Sequence, residues 1–234
     1  MTYKTKLMTS KKFNTIITST IIAALAIATT MGSAHALAYH ATHDLTKSTG
    51  AIYPVTPDIY GIKSTYKVLD TSIASGQALL APSWATLSAG IYREVGWSDQ
   101  GSDNIHAYYA IDGQKKTPVN YNISNNVEYT FEVSNVNKDY TWDLVAPGIA
   151  KQWTSFVSAK ASVINTGYEF TASSVTLPTN TFKNQYVYVN TAWALWSDQV
   201  NGLTGETESA GHYVLECGVD YKTQHGEGSG PPSC

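Results

Sequence analysis

Ile91-Tyr-Arg-Glu-Val-Gly-Trp97 is the stretch from which the fold can be read. Its residues alternate as in a half-buried β-strand, and turn chemistry bounds it on both sides, the cluster Ser98 to Asn104 following it directly. It also carries a glutamate, Glu94, two positions ahead of a glycine, Gly96. A second glutamate, Glu169, stands in a similar setting in Asn165-Thr-Gly-Tyr-Glu-Phe-Thr171, with Gly167 two positions before it. Glycine inside a strand often marks the close approach of another backbone or of a ligand.

The same period recurs along the chain. Ile105 to Ile111 follows the Ser98–Asn104 turn and reads as the second strand of a hairpin. Val127-Glu-Tyr-Thr-Phe-Glu-Val133 is the cleanest strand pattern, with Val127, Tyr129, Phe131 and Val133 on one face. Tyr60 to Leu69, Tyr140 to Val145, Lys160 to Ser173, Gln185 to Trp193 and His212 to Cys217 alternate in the same way. A Ser/Gly-rich turn from Ser72 to Gly76 and Pro82 end the Tyr60–Leu69 run, and Ile149 to Lys160 is the only helix candidate, with equivocal spacing. Eight or nine turn-separated strands with one apolar face each predict an all-β fold, an antiparallel two-sheet β-sandwich or jelly roll.

The N-terminus carries an address. Lys4, Lys6, Lys11 and Lys12 precede an apolar run from Ile16 to Ala28, and Ser33-Ala-His-Ala36 offers small residues for cleavage. That is the layout of a secretory signal peptide over residues 1–36, and the run is shorter than a membrane span requires. Removing four lysines from fifteen basic residues leaves eleven against eighteen acids, a net charge of −7. An acidic exported domain disfavours nucleic acid and anionic membranes as partners. Residues 37–58 read as an extended leader or a short pro-segment, 59–216 as the sandwich, and 217–234 as a C-terminal loop. In an exported chain Cys217 and Cys234 can close that loop with one disulfide. The product expected is a secreted monomer.

Several chemistries leave no trace. The sequence has no nucleophile elbow, no His-Glu-x-x-His, no phosphate loop and no calcium loop, so neither metal nor cofactor is expected. Carboxylates remain. Glu128 and Glu132 read as solvated face residues, whereas Glu94 and Glu169 each have aromatic neighbours and a nearby glycine. Glu94-Val-Gly-Trp97 resembles the Glu-x-Gly-Trp segment of the neprosin-type glutamic endopeptidases. Gly167-Tyr-Glu169 resembles their Gly-Gly-Glu segment, and Trp142-Asp-Leu144 falls between the two, like a Trp-x-Leu strand there. The arrangement is also similar to the eqolisin peptidases, in which glutamine takes the first position and glutamate the second.

The resemblance spans roughly Gly61 to Thr179. It implies a concanavalin-like sandwich whose concave sheet holds Glu94 and Glu169 as catalytic acids, with Tyr92, Trp97 and Tyr168 binding a polypeptide substrate. Two carboxylates held close share a proton in acid, so one activates water while the other serves the carbonyl and the leaving amine. Glu169 is the expected base and Glu94 the expected acid. An aromatic-lined concave sheet equally suits a non-catalytic domain that binds carbohydrate or a cell-surface ligand, and two glutamates also suit a glycoside hydrolase.

Overall fold

A computed structural model describes residues 39–46, 58–71, 73–100, 105–112, 114–116, 122–172, 174–175, 179–196, 204–208, 212–217 and 220–225. Fifteen strands lie among these residues, paired antiparallel throughout. One sheet runs β13 (Thr204–Glu208), β1 (Tyr39–Thr46), β10 (Val163–Phe170), β3 (Leu79–Ser88), β4 (Ile91–Asp99), β5 (His106–Ile111) and β6 (Gln114–Lys116). The other runs β14 (His212–Cys217), β15 (Asp220–His225), β11 (Asn180–Val189), β2 (Ile59–Lys67), β7 (Glu128–Ser134), β8 (Thr141–Ala146) and β9 (Ile149–Thr154). β12 (Ala192–Leu195) pairs with the far end of β11. The chain is a concanavalin-like sandwich of two antiparallel sheets. Among the described residues no helix is long and apolar enough to cross a membrane.

The core between the sheets follows from strand period. Val95 and Trp97 of β4, Ile62 and Tyr66 of β2, and Phe131 and Val133 of β7 are all fully buried on the inward faces. Aromatic rings connect the sheets. Tyr66 stacks on Phe131 with centroids 4.6 Å apart and packs on Phe182 at 4.6 Å; Phe182 meets Tyr168 edge-on at 5.6 Å, and Tyr168 meets Trp97 at 5.9 Å. Polar atoms in this core find partners across it. The Tyr66 hydroxyl donates to the Ala81 carbonyl at 2.8 Å, and Asn180 Nδ2 donates both to the Tyr168 hydroxyl and to the Lys67 carbonyl. Arg93, also buried, closes the end of β4: its Nη1 donates to Asp112 Oδ1 at 2.6 Å and to the Tyr92 carbonyl.

Four readings of the sequence change. Pro82 does not end a strand; it sits in the middle of β3, between β10 and β4. Residues 39–46, assigned above to a leader, form β1 within the first sheet. Residues 220–225, assigned to a C-terminal loop, form β15 between β14 and β11. Ile149–Thr154 is a strand, not a helix, because it pairs with β8 from Thr141 to Ala146. Residues 1–36, the expected signal peptide, and Cys234 lie outside the described residues, and Cys217 ends β14.

Proline has no N–H to give a ladder, which is why it reads as a strand breaker. Here its neighbours accommodate it. On one side Pro82 pairs with Gly96, where a side chain has no room: a Cβ would overlap the Ala81 carbonyl oxygen and come within 2.9 Å of the Pro82 Cα. On the other side the β3–β10 register runs through Thr166–Ser83 and resumes at Glu169–Leu80, lapsing at Gly167 and Tyr168. Gly167 takes a φ of 150°, a conformation open to glycine and strained for other residues. Gly96→Ala should therefore cost about 1–3 kcal/mol by overpacking. Urea unfolding measures it, and an unchanged midpoint would contradict the close approach.

Candidate active site

Alternation sorts the site sheet into two faces. The odd-numbered residues of β4 enter the core, so Tyr92, Glu94, Gly96 and Ser98 share the opposite face. Strand pairing extends that face sideways in rows. One row runs Asn165, Trp84, Glu94 and Ala110. A second runs Glu169, Leu80, Ser98 and His106. Between them, Pro82 pairs with Gly96, which pairs with Tyr108, while Thr42 of β1 pairs with Gly167. Glu94 and Glu169 thus stand on one face, on opposite sides of a middle row that contains two glycines and a proline. Their Cα atoms are two strands and four residues apart, about 10 Å across and about 13 Å along a flat sheet. Each lies two residues from its own glycine.

Tyr108 occupies the end of that middle row. It is fully buried, and its hydroxyl donates to Glu94 Oε1. Gly96, its cross-strand partner, presents no side chain and leaves the phenol room to reach the carboxylate. Burial pushes the Tyr108 hydroxyl well above the usual phenol range, and the charges of Glu94 and of Glu169 push it further. The phenol therefore feels both acids. Glu94 is itself buried, with 6% of its surface exposed, whereas Glu169 is half-buried. Leu80, Tyr108 and Ala110 form a small apolar cluster on this face, with Ala78 and Tyr92 against it.

The aromatic assignments divide. Tyr92 stays on the face of the acids, two residues from Glu94. Trp97 and Tyr168 do not: both are fully buried in the core, packed edge to face with each other. Proximity in sequence is misleading here, since residues separated by an odd number lie on opposite faces of a strand. Trp97 is three residues from Glu94, and Tyr168 adjoins Glu169. Tyr108, Trp84 and Asn165 instead share the face of the acids, and β1 brings His40 into register with Glu169 and Asp44 with Asn165. Among the described residues no group of three or more His, Cys, Asp or Glu is placed to hold a metal ion.

No family model matches the sequence, and no characterised protein sequence does. Solved structures do match the fold. Scytalido-glutamic peptidase with a transition state analog inhibitor aligns with a TM-score of 0.58 over 80% of this chain and 97% of its own, at 12% identity. SCP-B, a member of the eqolisin family of peptidases in complex with the tripeptide Ala-Ile-His, aligns at 0.56 over 79% and 96%, at 13% identity. At such identities the likeness is one of fold. CG-16, a homodimeric agglutinin from chicken liver, aligns at 0.38 over 63% of this chain, at 9% identity, too distant to bear on function.

Tyr66 and Tyr168 share the elevated range of Tyr108, both chiefly through burial; a hydrogen bond from Ser83 offsets this at Tyr66, and one from Asn180 at Tyr168. The unfolded chain releases these phenolic protons near pH ~10 while the folded chain keeps them. Folded tyrosines with raised values stabilise fully below that pH and lose the contribution as pH rises above it. The urea midpoint should fall steeply above pH ~10, and Tyr108→Phe should flatten the fall. A midpoint level up to pH ~11 would refute the burial of these phenols.

Proposed function

We propose that this protein is a secreted endopeptidase of the glutamic type, acting in acid with Glu169 as base and Glu94 as acid. The observation that carries the reading is the placement of the two motif glutamates on one face, across a row of two glycines and a proline, in a fold shared with glutamic peptidases. Trp84, Tyr92 and Glu169, partly exposed on this face, are side chains through which an extended peptide can reach it. The neprosin-type and eqolisin-like motif readings of Glu94-Val-Gly-Trp97 and Gly167-Tyr-Glu169 belong to the same proposal, as do export after cleavage of residues 1–36 and a polypeptide substrate.

The division of labour follows from burial and hydrogen bonding. Glu169, half-buried, is the carboxylate open to water, so it removes a proton as that water attacks the scissile carbonyl carbon. Glu94, buried and held by Tyr108, donates its proton toward the carbonyl oxygen as negative charge develops there. Collapse of the tetrahedral intermediate breaks the C–N bond, and as the C=O re-forms the proton on its oxygen returns to Glu94. The proton taken by Glu169 then passes to the departing amine, and the products are a carboxylic acid and an amine.

A denatured protein substrate at pH 3–5 tests the reading against Glu94→Gln and Glu169→Gln. Wild type should cleave it. Glu169→Gln should lose about a thousandfold or more in kcat, because an amide cannot accept the proton. Glu94→Gln should keep part of the rate, since an amide N–H can still donate to the carbonyl oxygen. Absence of cleavage by wild type, or full activity in Glu169→Gln, refutes the proposal; polysaccharide binding without cleavage would point to a binding domain instead.

A further inference from the structure

We infer that Tyr108 is the positioning residue of the acid, fixing by its hydroxyl which oxygen of Glu94 carries the transferable proton. The inference rests on the peptidase reading and adds a third side chain to it. A phenol has one hydrogen to give, and Tyr108 gives it to Glu94 Oε1. An oxygen that accepts this bond in both protonation states of the carboxyl leaves Oε2 as the seat of the acid proton. The same bond restrains the rotation of the carboxyl group, so the proton keeps one direction relative to the row between the acids.

The environment makes this donor permanent. Tyr108 is fully buried, and the groups facing it from the packed strands are Glu94 on β4, Glu169 on β10 and the Tyr66 hydroxyl from β2 beneath. None is a cation, and all disfavour a phenolate. Tyr108 therefore keeps its hydrogen wherever the dyad can work, and it acts through Glu94, not as a proton donor to substrate. Its place is also specific. Tyr109, the next residue, faces the core side of β5, and no other tyrosine pairs with Gly96.

Tyr108→Phe keeps the ring and removes only the donor. In the full exported protein it should lower kcat about tenfold or more with little change in KM. It should also move the alkaline limb of the pH–rate profile to higher pH, because a carboxylate that loses a hydrogen bond holds its proton longer. A packing role alone would leave that limb in place. The Glu94→Gln/Tyr108→Phe double variant supplies the second reading: if Tyr108 acts through the carboxyl of Glu94, adding Tyr108→Phe to Glu94→Gln should cost less than it does in wild type. Near-ultraviolet circular dichroism checks that each variant is folded. A Tyr108→Phe enzyme with wild-type kcat and an unmoved profile overturns the inference while leaving the dyad intact. An inactive wild type overturns the dyad itself, and the positioning role with it.

Discussion

A proline in the middle of a central strand is the constraint around which the site sheet is built. Pro82 lies between β10 and β4, where a ladder wants a donor on every second residue, and it has none. The sheet absorbs the defect instead of ending there. Gly96 lets β4 approach closer than any side chain would allow, and Gly167 adopts a φ of 150° where the β10 register lapses. The result is a middle row on one face in which Gly167 and Gly96 flank Pro82, between Thr42 and Tyr108. The two glutamates flank it because each lies two residues from one of those glycines. The motif spacing, Glu-x-Gly on one strand and Gly-x-Glu on the other, is thus the sequence image of a diagonal pair.

The opposite side of the same strands is where the strain is supported. Beneath Pro82 the Ala81 carbonyl accepts the Tyr66 hydroxyl, which comes from the other sheet. Ser83, next along β3, lies 3.2 Å from the Thr166 hydroxyl, so a buried pair of hydroxyls links β3 to β10 beside the lapse. Trp97 and Tyr168, each on a strand that carries a glutamate, pack edge to face in the core. Close packing below holds in place the strands that carry the two glutamates, whose inward faces cannot move independently.

Much of this was legible from residues alone. Period-two patterns identified β2, β4, β5, β7, β8 and β10, and hence a sandwich, because those strands have one apolar and one polar face. β3 was hidden by Pro82, since the compensating glycines lie 14 and 85 residues away and only pairing brings them together. β1 was hidden because Tyr39 to Thr46 is mostly polar, and β9 because its residues after Ile149 are exposed and show no alternation. Glu94 and Glu169 could be singled out by their glycines. Tyr108 could not, since the choice between Tyr108 and Tyr109 depends on the register of the β4–β5 hairpin, and the residues between those strands do not specify it. Proximity in sequence alone made Trp97 and Tyr168 look like site residues, although parity within each strand already placed them on the other face.

The asymmetry between the two glutamates is what turns a pair of acids into a division of roles. Identical carboxyl groups in identical surroundings would share one proton without preference. Here one is buried under a permanent hydrogen-bond donor and the other is half open. The buried group has its orientation fixed, which suits directed proton donation. The open one can reach water, which suits a base. Tyr108, whose ionisation both charges disfavour, stands at the end of the middle row between them. The proposed direction of proton flow, from water through Glu169 to the amine and from Glu94 toward the carbonyl oxygen, rests on that difference in burial and hydrogen bonding.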